Sequence, residues 1–188
     1  VLATELLRRD PRIDAGNIFI VGHSMGGMLA PRIDAEGGDY RGLVLMAGTP
    51  RKLEEVMLGQ TRAIAEELPA FLRPLLKKQT EKLERTFAGM YDLTDGQAQK
   101  KKVAGSTTVY YFKEMGDHPA ETYLRELEKP LLILQGEKDV QVKPDIDFAA
   151  YQELLKDRNN VTFRLYEGLN HAFVPAVCGK ISIHFTKN

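Results

Sequence analysis

A chain of 188 residues with 43% hydrophobic content is long enough to bury a substantial core, and one domain is its simplest organisation. Lysine plus arginine equals aspartate plus glutamate at 26 each, so no overall field draws the chain to nucleic acid or to an anionic membrane. The single cysteine, Cys178, excludes an internal disulfide framework and a thiolate metal cluster and reads as a structural thiol, and no apolar run approaches the length of a membrane span.

Residues 1–9 carry the apolar spacing of an amphipathic helix that is already under way at Val1. Upstream sequence is therefore expected, any secretory signal would lie there, and the compartment is left open with the cytoplasm favoured. Turn chemistry at Asp10-Pro11-Arg12 and Ala15-Gly16-Asn17 leads into a short buried strand over 18–21, then a helix from Met25 that Pro31 kinks or shortens. Leu43-Val44-Leu45-Met46-Ala47 is a second apolar strand, ended by Gly48-Thr49-Pro50. Such continuous runs suit strands covered by helices on both faces.

From 51 to 128 the pattern changes to charged helical segments broken at Pro69, Pro74, Gly89, Gly96 and Gly105, an insertion in an otherwise regular alternation. Within it Lys100-Lys101-Lys102 reads as a solvated surface. A third strand lies over 131–134, a helix over 146–156 and a fourth strand over 161–166, with no internal repeat or low-complexity segment. The chain thus divides into 1–50, the insertion 51–128, and 129–188. Strands alternating with helices indicate an α/β fold with a mostly parallel sheet of about four strands, whose chemistry gathers beyond the strands' carboxyl ends.

Three residues meet that condition. Ser24 follows the first strand in Gly22-His23-Ser24-Met25-Gly26, a G-x-S-x-G turn running from strand into helix. So tight a turn strains the serine backbone, and Gly22 and Gly26 are expected to relieve collisions around it. The backbone N–H of Met25, at the new helix's N-terminus, is placed to stabilise an oxyanion. A serine hydroxyl needs an imidazole to take its proton, and the imidazole needs a carboxylate to fix its tautomer. His171 after the fourth strand and Asp139 after the third supply these in the order Ser, Asp, His. Glu137, Asp145 and Asp147 are nearby alternatives for the acid. His23 would face away from Ser24 in an extended strand end, and it reads as a packing residue or one that supports the site from behind, with a place in the substrate pocket as a further candidate role. His118 and His184 read as surface histidines. The four histidines show no metal-ligand spacing, so neither a metal nor a cofactor is expected.

Gly22-His23-Ser24-Met25-Gly26-Gly27, Leu132-Ile133-Leu134-Gln135-Gly136-Glu137-Lys138-Asp139 and Leu165-Tyr166-Glu167-Gly168-Leu169-Asn170-His171 resemble the nucleophile, acid and histidine segments of α/β-hydrolases. More narrowly, they are similar to bacterial carboxylesterases of the dienelactone-hydrolase-like group. The resemblance implies a partial α/β-hydrolase fold made of its last four strands, with the insertion as a helical cap. It also implies a serine esterase acting on a small ester through Ser24, Asp139 and His171. The segment that normally supplies a second oxyanion N–H would precede Val1. Val109-Tyr110-Tyr111-Phe112 either line an acyl pocket or anchor the cap. A thioesterase or acyl-peptidase would use the same three residues, and a catalytically silent assembly unit is the alternative of another class. Without a neighbour, the strand over 18–21 becomes a sheet edge through which the chain is expected to self-associate.

Overall fold

The computed structural model describes residues 1–176; Cys178, His184 and the terminal stretch 180–188 lie outside the described residues. Two compact units are present, one formed by Val1–Pro50 with the chain from Tyr123 onward, the other by Arg51–Thr122.

In the first unit α1 (Leu2–Arg9) precedes β1 (Phe19–His23), which turns into α2 (Met25–Ile33). Pro31 is fully buried inside α2, which ends soon after it at Ile33, as a shortened helix would, and the chain leaves through a wide turn at Asp34–Gly38, where Gly37 has a φ of 110°. β2 (Gly42–Met46) follows. α1 is tied to this corner by Thr4, whose hydroxyl shares a 2.7 Å hydrogen bond with that of Tyr40, and by Arg8 donating to the carbonyls of Gly38 and Asp39. Its Leu2 and Leu6 remain exposed.

The second unit begins with α3 (Leu53–Glu67) and α4 (Arg73–Ala88), joined by the Arg62–Glu84 ion pair. α5 (Asp95–Lys100) opens with a capping box in which Thr94 and Gln97 satisfy each other's backbone N–H. A small antiparallel pair that periodicity does not reveal, β3 (Lys102–Ala104) and β4 (Thr107–Thr108), turns at Gly105 with φ 57° and feeds α6 (Val109–Asp117). The core of this unit is Phe87, Met90, Ala98, Val109 and Phe112.

α7 (Ala120–Glu126) leads back, and Arg158 donates to the carbonyls of Leu124, Arg125 and Leu127, closing the helix's C-terminal end with a cation. β5 (Leu131–Gly136) is followed by a wide turn at Pro144–Phe148, α8 (Ala149–Leu154) and β6 (Val161–Tyr166). The single helix expected over 146–156 is thus shorter and preceded by that turn, where Asp147 is buried and accepts from the Thr49 hydroxyl and the Lys143 N–H.

The four strands form one parallel sheet in the order β1-β2-β5-β6. At its centre Leu43, Leu45, Leu131 and Ile133 share one face of β2 and β5 and are buried, while Val44, Leu132 and Leu134 on the other face are half-buried, so the cover expected on both faces is complete on only one among the described residues. β1 is an edge strand, with Phe19 and Val21 exposed. Because all four strands run the same way, the residues following β1, β5 and β6 emerge at one end of the sheet. Among the described residues no helix is long and apolar enough to cross a membrane.

Candidate active site

Ser24 occupies the single residue between β1 and α2 with φ 56° and ψ −119°, a left-handed conformation that an L-residue adopts only under constraint. The constraint comes from both sides: Ser24 N–H donates to the Met46 carbonyl at 2.8 Å, and its own carbonyl accepts from Gly27 N–H at 2.9 Å. A serine at this position ordinarily caps its helix with the side-chain oxygen. Here the side chain makes no cap, and the hydroxyl is turned instead toward His171.

The two glycines expected to relieve the turn are not equivalent. A Cβ on Gly22 would lie 2.2 Å from the Gly26 carbonyl oxygen and 2.5 Å from its carbon, so position 22 admits no side chain. A Cβ on Gly26 would meet nothing within 4 Å among the described residues. The expectation for Gly26 is corrected: its carbonyl is what crowds Gly22, while its own side-chain direction is open.

Asp139 follows β5 in a tight turn, its N–H donating to the Gly136 carbonyl. Its carboxylate is fully buried and accepts four hydrogen bonds. Oδ1 takes the N–H groups of Gln141 (2.9 Å) and Val142 (3.0 Å). Oδ2 takes Nδ1–H of His171 (2.8 Å) and the Gln135 amide (2.9 Å). Buried carboxylates require such pairing. The remaining contact completes a chain, as the other ring nitrogen of His171, Nε2, lies 3.0 Å from Ser24 Oγ. With Nδ1–H pointed at a carboxylate, Nε2 is the unprotonated nitrogen and accepts from the serine hydroxyl.

The loop carrying His171 is held by its own turns and by the acid loop. Gly168 has φ 71°, Asn170 Oδ1 accepts from Ala172 and Val174 N–H, and Leu169 O accepts from Lys138 N–H. The two loops approach so closely at Gly136 that a Cβ there would sit 2.5 Å from the carbonyl oxygens of Leu169 and Asn170.

Of the alternative acids, Glu137 turns to the backbone of the histidine loop, accepting from Gly168 N–H at 2.9 Å; that bond, then Lys138, holds its carboxyl below the usual carboxylate range. Asp145 is exposed beside a cavity of about 490 Å³ formed with Phe148, Phe163 and Leu165, and Asp147 belongs to the buried turn described above. His118 is exposed. His23, expected to face away, reaches the site: its Nε2 is 2.8 Å from the His171 carbonyl oxygen. Strand alternation does not extend through the left-handed Ser24, which is why the extrapolation fails. Among the candidate pocket residues, Phe112 is buried in the core of the helical unit against Phe87, Tyr110 is half-buried against the same core, and Tyr111 is the most exposed.

Gln135 stands near the end of β5 within the segment that carries Asp139, and no role of its own is expected of it from the sequence. Its side chain, 1% exposed, spans the Asp139 carboxylate and the Val142 carbonyl (3.1 Å) and so fixes the acid turn. An amide at the buried end of an apolar strand is the signal that could have found it. Gln135→Met, of similar volume, is expected to lower stability by about 1–3 kcal/mol in urea unfolding, because two buried acceptors lose a donor.

Residues 2–174 match the family described as serine aminopeptidase, S33. The chain is 29% identical over 168 residues to esterase EstD of Thermotoga maritima, covering 87% of this chain and 37% of EstD. It is similar in fold to Est1E from Butyrivibrio proteoclasticus (TM-score 0.55, 15% identity, 91% of this chain and 58% of that one). It is similar in fold also to a puromycin-hydrolyzing peptidase of Mycobacterium tuberculosis (TM-score 0.54, 16% identity, 91% of this chain and 21% of that one). The chain therefore spans well under two thirds of these proteins. Across nearly its whole described length it belongs to the serine aminopeptidase S33 family of α/β-hydrolases.

Proposed function

We propose that this chain carries the nucleophile, acid and base of a serine hydrolase that cleaves small carboxylic esters through an acyl-serine intermediate. The observation that carries this reading is the unbroken chain from Asp139 Oδ2 to His171 Nδ1 (2.8 Å) and from His171 Nε2 to Ser24 Oγ (3.0 Å), with the hydroxyl withheld from helix capping. The similarity to esterase EstD supports the choice of an ester.

In the first half-reaction Ser24 Oγ bonds to the ester carbonyl carbon as its proton passes to His171 Nε2. The charge that develops on the carbonyl oxygen is assigned to the backbone N–H of Met25 at the start of α2. Asp139, held in place by its four hydrogen-bond donors, faces Nδ1 and stabilises the imidazolium. The tetrahedral adduct then expels the alcohol, which leaves with the proton from His171. Water repeats the sequence on the acyl-serine and releases the acid. A peptidase reading uses the same residues with an amine as leaving group, and the family's description and the mycobacterial neighbour are its support.

Initial rates on p-nitrophenyl acetate and butyrate, beside an aminoacyl p-nitroanilide, test the choice. Faster turnover of the short esters is expected; turnover of the anilide alone would replace the esterase reading with the peptidase one.

We also infer that the isolated chain self-associates through β1, whose outer side has no strand neighbour among the described residues and exposes Phe19 and Val21. Light scattering across a micromolar dilution series is expected to show a mass that falls on dilution, and a constant monomer mass would contradict it.

A further inference from the structure

His23 is the last residue of β1, next to Ser24, and the acyl chemistry proposed above does not use its ring. Its Nε2 lies 2.8 Å from the main-chain carbonyl oxygen of His171, a residue 148 positions away. A carbonyl oxygen only accepts, so Nε2 carries the hydrogen and donates. The two imidazole rings sit with centroids 4.9 Å apart at 46°, and Phe173 borders His23 at 6.3 Å. Two consecutive residues, one on the last position of β1 and one on the elbow, therefore grip the same histidine at opposite ends. Ser24 meets its ring nitrogen, and His23 meets its backbone.

This arrangement matters because the His171 ring is fixed by hydrogen bonds at both nitrogens, whereas the loop that carries it is fixed to the nucleophile's strand at the carbonyl. The other backbone ties of that loop run to itself and to the acid turn: Asn170 to Ala172 and Val174, Leu169 to Lys138, Gly168 to Glu137. Asp139 is anchored to the sheet through β5 and Gln135, so the His23 bond bears on the histidine loop, and the 3.0 Å approach of Oγ to Nε2 is the distance that would suffer without it. A loss of about 1 Å in such an approach costs on the order of 10²-fold in rate.

We propose that His23 is a positioning residue for His171, donating from Nε2 to the His171 carbonyl so that the base keeps its distance from the nucleophile. The proposal rests on the reading of His171 as the general base. It differs from a substrate-pocket role in what it predicts: a pocket residue changes KM, and a positioning residue changes kcat.

The test compares His23→Phe, which keeps a ring against His171 and removes the donor, with His23→Gln, which restores an N–H donor of similar reach. Both are made in the full chain, with thermal midpoints measured to confirm folding. Two readouts are taken: the rate of Ser24 capture by a fluorophosphonate together with kcat and KM on p-nitrophenyl butyrate, and the low-field proton resonance of His171 Nδ1–H. His23→Phe is expected to slow capture and kcat about tenfold with KM unchanged and to broaden the resonance. His23→Gln is expected to recover most of both. Wild-type rates and a wild-type resonance in His23→Phe would overturn the proposal, as would a rise in KM alone or an equal loss in His23→Gln. Should the wild-type chain not react with the fluorophosphonate, the hydrolase reading itself falls, and the resonance in His23→Phe still decides whether the bond positions His171.

Discussion

Replacing Ser24 with alanine is expected to lower ester hydrolysis by roughly 10⁶-fold, while the thermal midpoint stays within a degree or two. The fold is spared because the hydroxyl makes no cap for α2, and the left-handed turn is held by main-chain bonds to Met46 and Gly27 that alanine retains. His171→Ala should be nearly as damaging, since the serine then has no acceptor for its proton. Asp139→Asn should cost roughly 10⁴-fold, because an amide presented to Nδ1 favours the wrong tautomer. The double variant Ser24→Ala/His171→Ala should be no slower than either single one, as members of a unit do not add. Steady-state kinetics on p-nitrophenyl butyrate check all four, and additive losses would mean that the two residues act independently.

The largest stability effect is expected at Gly22. A methyl group there would sit 2.2 Å from the Gly26 carbonyl oxygen and 2.8 Å from the Gly27 nitrogen, all main chain, so the first turn of α2 must move away from β1. Overpacking against backbone of this kind costs about 3 kcal/mol or more, near 10 °C in midpoint for a chain of this size, and it displaces Ser24 as well. Gly26→Ala is the internal control. It stands in the first turn of α2 with open space before it, so exchange for the better helix former is expected to be neutral or to stabilise by up to about 1 kcal/mol. Equal destabilisation by the two substitutions, measured by thermal unfolding, would contradict the geometry of the turn.

The parallel sheet is legible in the sequence because its central strands are buried on one face and half-buried on the other and so appear as uninterrupted apolar runs, as at Leu43-Val44-Leu45 and Leu131-Leu132-Ile133. The positions of Ser24, Asp139 and His171 follow from the same signal, each lying a few residues past the end of such a run, where a parallel sheet gathers its loops. What the chain conceals depends on long-range contact. Gln135 appears as one polar residue at a strand end until the Asp139 turn folds back over it. His23 follows strand alternation on paper, and its true partner is 148 residues distant. Gly22 and Gly26 look symmetric about the serine, and only the left-handed φ of Ser24 makes one crowded and the other open. The β3–β4 pair is too short for periodicity to register and depends on the left-handed Gly105. Phe112 carries no mark that separates a core aromatic from one lining a pocket; its packing against Phe87 does.

The most direct test of the central claim is to treat the chain with a fluorophosphonate and map the adduct by peptide mass spectrometry. The claim predicts one phosphonylated residue, Ser24, with capture slowed by at least about 10³-fold in His171→Ala. Absence of an adduct, capture at another residue, or capture at Ser24 that His171→Ala leaves unchanged would contradict it.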